Sequence, residues 1–171
     1  MVRKTSTALA ICLIAVVVAS STAFASTATT NLNVTAIVGA TCNISTSSES
    51  FGQYDPLVVN STTPLNATGS VSTTCSNGLS NTLTLDQGLN AATGSTDAVP
   101  PRQLSFGGNV LCYFLYTNSS RTTVWGNTPT TGVAETGTGL NANVVAFGQI
   151  PAGQNAAPGS YSDTVVATVT F

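Results

Sequence analysis

The chain contains no histidine. Without an imidazole, the Ser-His-Asp and Cys-His nucleophilic arrangements are excluded, and the commonest metal ligand is gone. Charge is almost as scarce. Beyond residue 25 the acids are Glu49, Asp55, Asp86, Asp97, Glu135 and Asp163 and the bases are Arg102 and Arg121, two against six, a balance of −4. Nothing there neutralises phosphates, so nucleic acid is excluded as a partner. The six acids are scattered rather than paired as in glycosidases or closely spaced as in calcium loops. Asp86, in Leu83-Thr84-Leu85-Asp86-Gln87-Gly88, reads as a turn residue ending a strand, with calcium ligation the weaker alternative. No cofactor or metal is implied, and the chain reads as non-enzymatic.

The one long apolar run lies at the start. Arg3 and Lys4 precede the uncharged stretch Ala8 to Ala19, and Ala23-Phe24-Ala25 has the A-x-A form of a leader cleavage site. The run is shorter than the roughly 20 residues needed to span a bilayer. Residues 1–25 are therefore expected to be a signal peptide cut between Ala25 and Ser26, leaving 146 residues, enough for one domain with a core.

That remainder is rich in Thr, Ser, Asn and Gly where charge would usually stand, yet it keeps many Val, Leu and Ile. Disordered chains are poor in such residues, so a folded β protein with a hydroxyl- and amide-covered surface is expected. No apolar period of 3.6 residues is sustained, whereas two-residue alternation recurs between Gly, Pro and Asn clusters. In the first such segment Leu32, Val34, Ala36, Val38, Ala40, Cys42 and Ile44 share one parity, with Ile37 the exception. Further runs cover Gly69–Cys75, Asn81–Asp86, Val110–Tyr116, Val144–Ile150 and Tyr161–Phe171. Asn77-Gly78 suits a tight turn with positive φ between the second and third runs. In the last run Tyr161, Val165, Ala167, Val169 and Phe171 share a face, and Asp163 sits on that same apolar parity. Residues 86–109 and 117–143 are expected to be long loops with at most short strands. An all-β sandwich or barrel follows.

Three cysteines, Cys42, Cys75 and Cys112, follow the leader, so an exported chain would carry one disulfide and one spare thiol. Cys112, inside an apolar strand, reads as a buried inert thiol. Trp125, the single tryptophan, reads as a core or loop-packing residue, with sugar stacking as the alternative. Five N-x-S/T triplets, starting at Asn33, Asn43, Asn60, Asn66 and Asn118, are what a chain so rich in these residues supplies by chance, and no glycans are expected.

Several short motifs recur in a fixed order: Cys42, Phe51-Gly52-Gln53-Tyr54, Gly69 to Cys75, Leu83 to Gly88, Arg102-Gln103-Leu104, Leu111 to Tyr116, Trp125-Gly126, Phe147 to Gln154 and Gly159 to Phe171. In that order and spacing the chain resembles the bacterial spore coat protein U domain family, which includes Csu-type subunits of archaic chaperone-usher pili. One departure is Cys112, where the family pattern has an ordinary polar residue.

The resemblance implies an incomplete immunoglobulin-like β-sandwich that lacks its last strand, completed by a donor strand from a neighbour. It implies a donor segment over residues 26–38, presenting Leu32, Val34, Ala36 and Val38, followed by the domain proper over residues 39–171. It also pairs Cys42 with Cys75, a closure that would stabilise by roughly 3 to 4 kcal/mol. The implied partners are a periplasmic pilus chaperone, an outer-membrane usher and neighbouring pilus subunits, with the assembly displayed at the cell surface for adhesion and biofilm formation. By pattern alone, Leu32 to Ile44 reads equally well as an ordinary first strand packed on its own core. The resemblance assigns the first half to a neighbour and leaves Cys42 and Ile44 in the chain's own sheet. A non-pilus spore or cell-surface coat protein is the alternative function, and a carbohydrate-binding module using loops around Trp125 is a weaker one.

Overall fold

The computed structural model describes residues 24–171. The leader read over residues 1–25 lies outside them, except for Phe24 and Ala25. Contacts divide the chain after Ile37. Residues 24–37 form no regular secondary structure, and the eight strands all belong to the unit beginning at Val38.

The strands are β1 (Cys42–Ser47), β2 (Leu65–Cys75), β3 (Ser80–Leu85), β4 (Arg102–Phe106), β5 (Asn109–Tyr116), β6 (Val133–Thr136), β7 (Asn141–Ile150) and β8 (Ala167–Thr170). One sheet has the order β1-β2-β7-β5-β4 and the other β6-β3-β8, with every ladder antiparallel. Long-range alternation explains the layers. Along β2, Val71, Thr73 and Cys75 are buried while Ser70, Ser72 and Thr74 are not, and along β5, Leu111, Tyr113 and Leu115 are buried in the same way. These side chains meet Leu83 and Leu85 of β3 between the sheets, so the protein is an immunoglobulin-like sandwich with one core.

Two buried side chains join the layers by hydrogen bonds. Trp125 is fully buried; its backbone N–H donates to Leu115 O (2.9 Å) and its indole Nε1 to Leu83 O (3.0 Å). No ring face remains for a sugar, which removes the basis of the carbohydrate-binding reading. Arg102 is equally buried; its Nε donates to Asp86 O (2.8 Å) and its Nη2 to Leu85 O and Trp125 O (both 3.1 Å). Burial pulls its guanidinium below the usual arginine range, with Tyr113, Asp86 and Asp163 offsetting this.

The expected long loops each carry one short strand, β4 and β6. Asn77-Gly78 forms the expected turn: Gly78 has φ +78°, and Leu79 N donates to Ser76 O (3.1 Å). That turn carries the chain from one sheet to the other. Three expectations need correction. The first strand begins at Cys42 and runs to Ser47, because its ladder with β2 starts at the Cys42–Cys75 pair, and Leu32 to Thr41 forms no strand. The last run is a strand only over Ala167–Thr170; residues 161–166 run beside the irregular segment 86–89 and β4, bonding them at single points. The Cys112 thiol is only partly buried, since its position alternates with Leu111 and Tyr113 and so faces the outside of the sheet.

Candidate functional site: an open strand edge and a neighbouring cleft

β8 lies at the margin of its sheet, paired with β3 alone. Val166 O accepts from Asp86 N (3.0 Å) and Thr164 O from Leu89 N (3.1 Å), so even-numbered residues of this segment turn their backbone polar groups toward β3 and its extension. Val165, Ala167 and Val169 therefore turn theirs the other way, and among the described residues no strand pairs that edge. Their side chains point inward and are half-buried against the core. Across the gap, β1 is the margin of the other sheet and, among the described residues, pairs only with β2. Ile44, on the inward parity of β1, is still 38% exposed, which marks a sandwich open along this side.

The segments that follow β1 and precede β8 enclose a cleft of about 880 Å³. Leu104, Leu111 and Ile150 form its floor, the segment Glu49 to Leu57 after β1 forms one wall, and Ala156 to Asp163 before β8 forms the other. Phe51 packs edge-on against Tyr113, with ring centroids 6.0 Å apart. Tyr54 secures the first wall: its hydroxyl donates to Pro151 O (2.9 Å) and accepts from Gln154 N (3.0 Å). Asp163 secures the second. Its Oδ2 accepts from the Tyr113 hydroxyl (2.8 Å) and its Oδ1 from Asn90 N (3.2 Å) and Nδ2 (3.1 Å). The inward parity noticed for Asp163 is thus satisfied by a specific donor. Burial, reinforced by this hydrogen bond, pushes the Tyr113 hydroxyl above its ordinary value.

Glu49 is the cleft's unannounced feature. A Cβ at Gly148 would fall on its Oε1, and one at Gly69 would lie 3.0 Å from its Cβ, so the two glycines make the slot the side chain occupies. Its Oε1 is buried and finds no hydrogen-bond partner among the described residues. Burial pushes its carboxyl up to about 7, against the opposing pull of Arg121. Only its isolation between the first strand and Phe51 hinted at this in sequence. Asp86 behaves as the turn residue expected: its Oδ1 accepts from Gly88 N and from Val166 N (both 2.9 Å).

Cys42 and Cys75 are joined in a disulfide, across directly opposed positions of β1 and β2, and Cys112 is free. In residues 24–37, Leu32 and Val34 are 87% and 83% exposed, and Ala36 is exposed as well. At the start of the second unit Val38 is 90% exposed. None of these four positions lies in a strand.

The Spore Coat Protein U domain model matches residues 28–168. The chain belongs to the spore coat protein U domain family. Protein U of Myxococcus xanthus is 47% identical, over 90% of this chain and 90% of that protein. Among solved structures, this spore coat protein U domain is similar to a chain in the crystal structure of the CsuC-CsuE chaperone-tip adhesion subunit pre-assembly complex, from archaic chaperone-usher Csu pili of Acinetobacter baumannii. That similarity has a TM-score of 0.50 at 21% identity and covers 78% of this chain but 40% of that one. It is a likeness of fold, and this spore coat protein U domain spans well under half of that larger chain.

Proposed function

We propose that this protein is a structural subunit of an extracellular pilus or fimbria that polymerises by donor-strand exchange. Residues 1–25 direct export and are removed between Ala25 and Ser26. A periplasmic chaperone then occupies the open β8 edge, and an outer-membrane usher exchanges it for residues 26–38 of the next subunit. The polymer serves adhesion and biofilm formation. The observation that carries the reading is the β8 edge that no described strand pairs, with Val165, Ala167 and Val169 half-buried along it, in a chain whose Leu32, Val34, Ala36 and Val38 are solvent-exposed. An added strand gains affinity from main-chain hydrogen bonds and specificity from alternate side chains in pockets. Each buried Leu or Val would add about 1.5 to 3 kcal/mol.

Deleting Ser26 to Val38 tests this. The truncated protein is expected to fold and bind its chaperone but not to polymerise; purified polymers lacking the segment would end the donor-strand reading. The likeness to Protein U favours a second reading, a non-pilus surface coat assembled from the same domain. Electron microscopy of cells with and without the gene separates the two, since loss of filaments and loss of a continuous layer are different images.

A further inference from the structure

Strand register sets two ends of the sandwich apart. At one end lie Cys42, its partner Cys75, the Ser76-Asn77-Gly78 turn and Leu140, because Cys42 opposes Cys75, Thr74 opposes Asn141, and Gly139 N donates to Cys75 O (3.0 Å). The C-terminal end of β8 is there too, with Thr170 opposite Thr82 at the start of β3. At the other end lie Tyr161, the mouth of the cleft and the turn 55–63, whose Asn60 O accepts from Gly153 N (2.8 Å) just beyond β7.

Each end carries apolar side chains that the fold does not use. Leu57, Val58 and Val59 are 85%, 71% and 60% exposed, side by side on one turn. A lone exposed Leu needs no explanation, but three adjacent ones on an ordered turn do. The turn is well ordered: Asp55 Oδ1 accepts from Leu57 N and Val58 N (both 3.0 Å), Pro56 follows it, and buried Asn60 donates to Thr63 O (2.9 Å). At the opposite end Leu140 is 73% exposed beside Gly139. No charged residue stands among residues 38–44, 76–78 or 137–141.

We propose that in the polymer the Leu57–Val59 turn of one subunit seats on the Leu140 end of the subunit that donates into it, making a head-to-tail contact between domain bodies. This rests on the donor-strand reading. Every ladder in the sandwich is antiparallel, so an added strand antiparallel to β8 brings its C-terminal end out at Tyr161, beside Leu57. From Val38 the donor's chain has only Gly39, Ala40 and Thr41 before Cys42, a reach of at most about 14 Å. So short a tether leaves the donor's Leu140 end no room to stand clear of the cleft mouth. The contact joins different patches on the two copies, which propagates a filament rather than closing a dimer. Because the turn is already ordered, little freedom is lost when it docks.

The test is interchain cross-linking in the full chain, with Cys112→Ser removing the free thiol and Val58→Cys and Leu140→Cys added. Both positions are exposed, and an unchanged melting temperature of the chaperone-bound monomer confirms the fold. Polymers are expected to form an interchain disulfide at least about tenfold faster than a control pairing Leu89→Cys with Leu140→Cys, since the tether serves both pairs alike and only the body contact holds the first pair together. Polymers that assemble but link no faster than the control overturn the body contact and leave the donor-strand reading standing. Cross-linking that persists when Ser26 to Val38 is deleted overturns the tethered arrangement instead.

Discussion

The Tyr113 hydroxyl donates a 2.8 Å hydrogen bond to Asp163 Oδ2, fastening the middle of β5 to the segment that leads into the open β8 edge. Tyr113 is in the core and Asp163 also holds Asn90, so one bond connects the first sheet, the 86–90 segment and a wall of the cleft. Tyr113→Phe is expected to leave a carboxylate oxygen without its donor and to cost about 1 to 3 kcal/mol. Urea titration checks this as a lower midpoint at unchanged slope. The same variant should take up a synthetic peptide of residues 26–38 more weakly, because the wall beside β8 loses its tie.

Glu49 makes stability depend on pH. Its carboxyl is raised from an ordinary 4.5 to about 7, so the folded state holds the proton more firmly than the unfolded one. The stabilising contribution is full below pH 4.5 and is lost as pH rises through about 7. Glu49→Gln keeps the shape without the titration. The melting temperature of the native protein should fall between pH 4.5 and 7.5 more than that of Glu49→Gln, and parallel curves would contradict the assignment.

The Cys42–Cys75 bridge closes the chain between β1 and β2 across a sequence separation of 33. Replacing both cysteines by serine is expected to cost roughly 3 to 4 kcal/mol on the chain-entropy account. A non-reduced digest should yield the Cys42–Cys75 peptide pair, with Cys112 alkylated.

Arg102→Leu should be the most damaging of these substitutions. It strips donors from Leu85 O, Asp86 O and Trp125 O at a site closed to water. At about 1 to 3 kcal/mol for each buried acceptor left unpaired, a loss of roughly 3 kcal/mol or more is expected, read as a fall in the denaturation midpoint.

Strand positions were legible wherever alternation was long. Gly69–Cys75, Val110–Tyr116 and Val144–Ile150 each lie within an observed strand, and the inward parity of Val165, Ala167 and Val169 holds even where the ladder is interrupted. Alternation failed as a guide to the first strand. It reports which side chains share a face, and Leu32 to Val38 alternates without forming a strand. For Cys112 the local apolar surroundings suggested burial, yet the position belongs to the outer face with Phe114 and Tyr116.

Faces and turns are local properties, carried by residues two or three apart, so the order of amino acids was enough to specify the long strands β2, β5 and β7, the Asn77-Gly78 turn and an all-β core. The site is not local. The cleft floor joins Leu104, Leu111 and Ile150, the Glu49 slot joins Gly69 and Gly148, and the open edge exists because β8 meets β3 and no other described strand. Those neighbours are brought together only when distant strands pair. Hence the exposed edge and the shifted carboxyl at Glu49 emerge from the folded arrangement, where burial and missing partners acquire their energetic meaning.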